Sequence, residues 1–143
     1  MLRVSRNNSQ RCDMPVAIAF IVNTDGRLPT GPPFKEAIEK VDAESDGRAL
    51  YFLINCAHPD HVIGIFNDEP WMHRLRGIVA NASRCSHGGL EVAEELDEGN
   101  PDELGALVRD LRKPYPHFNI VGDCSGFDMW HMKRILEEAN SAY

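Results

Sequence analysis

Pro15-Val-Ala-Ile-Ala-Phe-Ile-Val22 runs into Asn23-Thr-Asp-Gly-Arg-Leu-Pro-Thr-Gly31, and then Phe34, Ala37, Ile38 and Val41 recur at helical spacing. The first run is apolar, rich in β-branched residues and without polar alternation, which reads as a strand buried on both faces. The second is a loop dense in turn formers. The third, interleaved with Lys and Glu, is an amphipathic helix. The same order repeats along the chain. Ala49-Leu-Tyr-Phe-Leu-Ile54 reads as a strand stopping at Asn55-Cys-Ala-His-Pro-Asp60, before a less regular helical stretch over roughly 60–76 that carries Pro70. Gly77-Ile-Val-Ala80 ends at Asn81-Ala-Ser-Arg-Cys-Ser-His-Gly-Gly89. An amphipathic helix then runs from Pro101 to about Arg112, with Asn100 as its N-cap and Pro114 beyond its end. Phe118-Asn-Ile-Val121 ends at Gly122-Asp-Cys-Ser-Gly126, and Asp128 caps a last helix through about Ala139.

Strand then helix, repeated in this way, predicts an α/β fold with parallel strands joined by right-handed crossovers. Every unusual cluster of residues follows a strand, the end of the sheet where α/β folds bind ligands. The periodicity leaves an open doubly wound sheet and part of a (βα)8 barrel equally available. Neither a GxGxxG nor a GxxxxGK[ST] loop is present to favour a nucleotide.

Composition narrows the classes of function. The 143 residues suit one domain, with 43% hydrophobic and 26% charged residues in ordinary globular proportion. A formal charge of −7 argues against a nucleic-acid or anionic-membrane surface. No apolar run approaches the roughly 20 residues that cross a bilayer, and residues 1–13 lack the apolar core of a secretory signal. The expected compartment is therefore the reducing cytoplasm. There the four spread cysteines, Cys12, Cys56, Cys85 and Cys124, are packed spectators, metal ligands or nucleophiles rather than disulfides.

Cys56 and Cys124 each stand just past the end of an apolar strand, in separate βα units. Two thiols on one rim of a parallel sheet can converge on a single zinc ion, although simple packing of a buried cysteine is open too. Gly122 and Gly126 flank Cys124 and loosen its backbone, while Asn55 and Ser125 offer polar groups beside the thiols. His58, His61 and His87 read as loop histidines, His131 as a first-turn helix residue, and the acidic run from Glu91 to Glu103 as a solvated surface. Thr24 and Asp25 either meet a substrate at the rim or form the turn.

These residues carry a resemblance. Phe118-Asn-Ile-Val-Gly-Asp-Cys-Ser-Gly-Phe-Asp-Met-Trp-His-Met-Lys-Arg-Ile135 resembles the last strand and helix of the homocysteine S-methyltransferase family, whose hallmark there is Gly-Gly-Cys-Cys-Gly. Leu53-Ile-Asn-Cys-Ala-His58 is similar to that family's sixth strand with its Asn-Cys pair. Ala17 to Gly31 is similar to the fifth strand and loop, and Ile78 to Arg84 to the seventh. The likeness covers about Met14 to Ala139 in family order. It implies four βα units equivalent to the C-terminal half of a TIM (βα)8 barrel, with residues 1–13 as an extension and 14–143 as a partial homocysteine-binding domain. It also implies zinc as cofactor, homocysteine and a methyl donor as substrates, and methionine as product. Cys56 and Cys124 become the metal ligands, and Thr24, Asp25 and Asn55 substrate-binding residues.

The pattern departs in two places. Ser125 stands where the family has the second of two adjacent cysteines, and Asp123 where it has glycine. Ser125, Cys85 or Asp123 is then the candidate for the third ligand. The family's first four units, with their Asp-Gly-rich motif for homocysteine, have no counterpart in residues 1–13. An impaired methyltransferase is therefore expected, one that associates with itself or with an N-terminal half-barrel partner. The alternative is a non-catalytic remnant or a small metal- or thiol-binding module kept for an interaction.

Overall fold

The computed structural model describes residues 14–85 and 97–141. Four parallel strands lie side by side in chain order: β1 (Val16–Ile21), β2 (Ala49–Ala57), β3 (Leu75–Ala80) and β4 (Ile120–Asp123). Helix α1 (Phe34–Ser45) connects β1 to β2, α2 (Pro101–Arg112) precedes β4, and α3 (Met129–Ser141) follows it. Asn100 caps α2, its side-chain oxygen accepting from the Asp102 and Glu103 amides at 3.0 and 3.3 Å. Asp128 caps α3, Oδ1 accepting from the Trp130 and His131 amides at 2.8 and 3.1 Å.

The helix expected over roughly 60–76 is not an α-helix. Three 3-10 turns, Pro59–His61, Ile63–Ile65 and Pro70–Arg74, fill that crossover, and β3 already begins at Leu75. Pro59, Gly64 and Pro70 interrupt the segment before two successive α-turns can form.

Register explains where the core sits. Ile18 and Phe20 of β1, Phe52 and Ile54 of β2, and Ile78 of β3 align on one sheet face. Phe34, Ile38, Val41, Trp71, Met72, Leu111 and Phe118 join that face in a single buried cluster. Phe20 stacks on Phe52 with ring centres 5.9 Å apart, and the Arg74 guanidinium lies 5.5 Å from the Phe52 ring while pairing with Asp42 at 2.9 Å. A second cluster of Leu104, Val108 and Ile135 joins α2 to α3. The opposite sheet face is less covered. Ala17 and Ala19 are exposed there, and Leu53, Asn55, Val79 and Gly122 are only half-buried. β1 is thus an edge strand with one sheltered face rather than a strand buried on both. Among the described residues, no helix is long and apolar enough to cross a membrane.

Candidate functional site

β2 does not stop at Ile54 but continues to Ala57, so Cys56 lies inside the strand. Asn55 pairs with Val79 and Ala57 with Ala80, leaving Cys56 as an extra residue in the ladder. Its φ of 53° is left-handed, a conformation that costs a residue with a Cβ roughly 1–2 kcal/mol. Such bulges re-aim a side chain. Cys124 is the first residue after β4, and its amide donates to the Ala80 carbonyl at 2.9 Å. The two sulfurs are 2.7 Å apart, both free and half-buried, with one thiol donating to the other. Burial first, then the hydrogen bond and charge of Cys124, push the Cys56 thiol up to about 12. Without a cation the pair therefore keeps a proton at neutral pH.

The end of β3 lies between the two strands that carry the thiols. Asn81, 1% exposed, donates its amide N–H to the Ala57 carbonyl at 3.0 Å and its Nδ2 to the Cys56 carbonyl at 3.1 Å. Its Oδ1 is buried and has no hydrogen-bond partner among the described residues. Ala82 donates to the Ser125 carbonyl at 3.2 Å. Ser83 Oγ, also buried, donates to Asp97 at 2.6 Å and accepts from the Cys85 amide at 3.0 Å. The Ser83 and Gly99 hydrogen bonds hold the Asp97 carboxyl below the usual carboxylate range. Gly126, at φ 82°, passes so close to this loop that a Cβ there would stand 2.6 Å from the Asp97 carbonyl oxygen. His131 locks the same loop to α3, with Nε2 2.6 Å from the Glu98 carbonyl and Nδ1 2.7 Å from Asp128 Oδ1.

The other candidates are placed as follows. Cys85 and Asp123 are exposed, and Ser125 is an exposed neighbour of Cys124. Among the described residues no group of three or more His, Cys, Asp or Glu side chains converges to hold a metal ion. His58 is 3% exposed, and burial drives its ring down to about 4. It is neutral at pH 7, so its 3.7 Å approach to Asp60 is not an ion pair there; Nδ1 accepts from the Asp60 amide at 3.2 Å. Arg84 closes the rim between Asp60, at 2.5 Å, and Glu103, at 2.6 Å. Thr24 and Asp25 are exposed, and Asp25 Oδ1 accepts from the Arg27 amide at 3.0 Å within the turn. Asn55 lies on the open sheet face between Ile21 and Val79. Cys12, His87 and the acidic residues 91–96 lie outside the described residues.

Two cysteine sulfurs meeting at one rim are donors of the kind zinc accepts and would fill two of its four tetrahedral positions, so the thiol pair fits that metal. Asn81 is the residue that sequence reasoning passed over. The signal was there, since it is the first polar residue after the apolar run of β3, the same position that singled out Asn55 and Cys56.

No curated protein and no solved structure matches the chain. A family model described as homocysteine S-methyltransferase does, over residues 1–139. That match runs from before β1 into α3, including both strand ends that carry the paired thiols, and the chain belongs to the homocysteine S-methyltransferase family.

Proposed function

We propose that this chain takes part in zinc-dependent transfer of a methyl group to homocysteine, giving methionine, with Cys56 and Cys124 as metal ligands. The observation that carries the reading is the 2.7 Å approach of two free thiols from separate strand ends. Zinc, when bound, supplies a Lewis acid that favours the thiolate of homocysteine, the effective nucleophile, over its thiol. The chain's own part is to hold the two sulfurs together at the rim and to keep a neutral His58 next to the strand end. Thr24, Asp25 and Asn55 stand at the same end of the sheet and are the proposed contacts for substrate. The four parallel strands act as half of a (βα)8 barrel, in the cytoplasm, completed by a second copy or by an N-terminal half-barrel partner. Zinc content of the purified protein, with and without homocysteine, tests the site. About one zinc per site that rises on adding homocysteine supports it; protein that stays metal-free under zinc excess sinks it.

Ser125 favours a second reading. A neutral hydroxyl is a poor zinc ligand beside thiolate, which leaves a site able to bind metal or thiols without efficient turnover. Stoichiometric zinc with no methionine formed would select it.

A further inference from the structure

We infer that Asn81 is the positioning residue of the thiol pair, acting through the backbone bulge at Cys56; this deepens the proposed metal site and rests on that reading. The register shows what the bulge does. In a regular β2, residue 56 would follow Phe52 and Ile54 onto the helix-covered face, opposite Ala80. Instead Ala57 holds the place opposite Ala80, and Cys56 is turned out of the ladder toward Cys124. A left-handed cysteine persists only when its surroundings over-determine it. Asn81 provides that restraint, because its backbone amide takes the Ala57 carbonyl while its side-chain amide takes the Cys56 carbonyl. Both carbonyls of the bulge are thus held by one buried residue. Removing the Nδ2 donor frees Cys56 to relax into an ordinary extended strand, which turns its sulfur away from Cys124.

The experiment uses the full chain with Cys12→Ser and Cys85→Ser, so that only the pair carries thiols. Asn81→Asp keeps the size and the oxygen but loses the donor, and Asn81→Ser leaves a hydroxyl too short to reach. Ser83→Ala, which breaks the neighbouring buried bond to Asp97, is the structural control. Two readouts are taken. Phenylarsine oxide bridges two adjacent thiols without any metal, and cobalt(II) reports affinity and thiolate number through its charge-transfer absorption. The parent protein takes up one arsenical per chain. Both Asn81 variants are expected to lose that uptake and to bind cobalt about tenfold to hundredfold more weakly, the usual effect of removing an outer-sphere partner. Ser83→Ala lowers the melting temperature but keeps both signals. Parent-like arsenical uptake in Asn81→Asp and Asn81→Ser overturns the inference. Loss of the sheet's circular dichroism in both variants overturns it too, in favour of a role in folding alone. A parent protein that bridges the arsenical but ignores cobalt refutes the metal reading and leaves Asn81 judged by the arsenical.

Discussion

Cys56 carries two burdens, a left-handed backbone and a half-buried thiol whose proton is hard to remove. Both serve the approach to Cys124 and neither serves the fold. Cys56→Gly is therefore expected to abolish metal binding while stabilising the metal-free protein by about 0.5–1 kcal/mol, the relief of left-handed strain less the entropy of a glycine. Urea unfolding of metal-free protein checks this, and a loss of stability would mean that thiol packing outweighs the strain. Ser125 is the complementary test. Ser125→Cys adds a charged, soft donor next to Cys124, and zinc affinity should rise by more than about tenfold, the lower end of what even an outer partner contributes. Competition against a chromophoric chelator measures it; equal affinities would show that another group already completes the site. The cysteines were legible in the sequence because polar residues stood at the ends of apolar runs. The bulge was not legible. Asn-Cys-Ala reads as loop by composition, and only pairing with Val79 and Ala80 reveals that the strand continues through it.

Helices with good caps matched their sequence reading closely. Pro101 to Arg112 was legible because Asn100, Pro101 and the apolar spacing all agree. Asn100→Ala should cost about 1 kcal/mol by freeing the Asp102 and Glu103 amides, read as a shift in urea midpoint with unchanged slope. The crossover from β2 to β3 was misread because an apolar rhythm survives there while Pro70 lacks the N–H that an α-helix needs and Gly64 disfavours one. At the start of α3 the His131 side-chain contact, helped by its amide and that of Trp130, holds the Asp128 carboxyl below its usual 3.8. The sign follows from the proton count. At low pH the unfolded chain takes up a proton that the folded chain resists, so this contribution is complete above pH 3.8 and is lost as the pH falls below it. The Asp97 carboxyl, depressed in the same direction, adds to the effect. Stability measured from pH 6 down to pH 3 should steepen below about 4, and Asp128→Asn should flatten that fall; an unchanged profile would remove Asp128 as its cause.

Over the whole molecule, the sheet has a well-covered face and a poorly covered one, and parallel sheets are ordinarily shielded on both. Sedimentation at micromolar concentration should therefore find an associated species, and a strict monomer would refute self-completion. Methyl transfer requires two substrates aligned in one enclosed site, an effect that can remove roughly 7–11 kcal/mol of barrier. With an open sheet face and Ser125 in place of a thiolate, the zinc-loaded chain alone should form methionine from homocysteine near the background rate with S-methylmethionine, betaine or a methylfolate. Robust zinc-dependent turnover would overturn that expectation, and turnover appearing only with an N-terminal partner would support it.

Cys56 belongs to β2 and Cys124 to the end of β4, and these strands are not neighbours; β3 runs between them. Two strand spacings amount to about 9.6 Å, so the sulfurs meet only across the tip of an intact middle strand. An ion gripped there would tie β2 to β4 across β3 and would sense the integrity of the sheet as a single unit. Its escape under denaturant should then follow the melting of the sheet rather than the fraying of any one loop. Metal loss and sheet circular dichroism would trace the same curve, and the bound ion would serve as a gauge of cooperativity built into the protein.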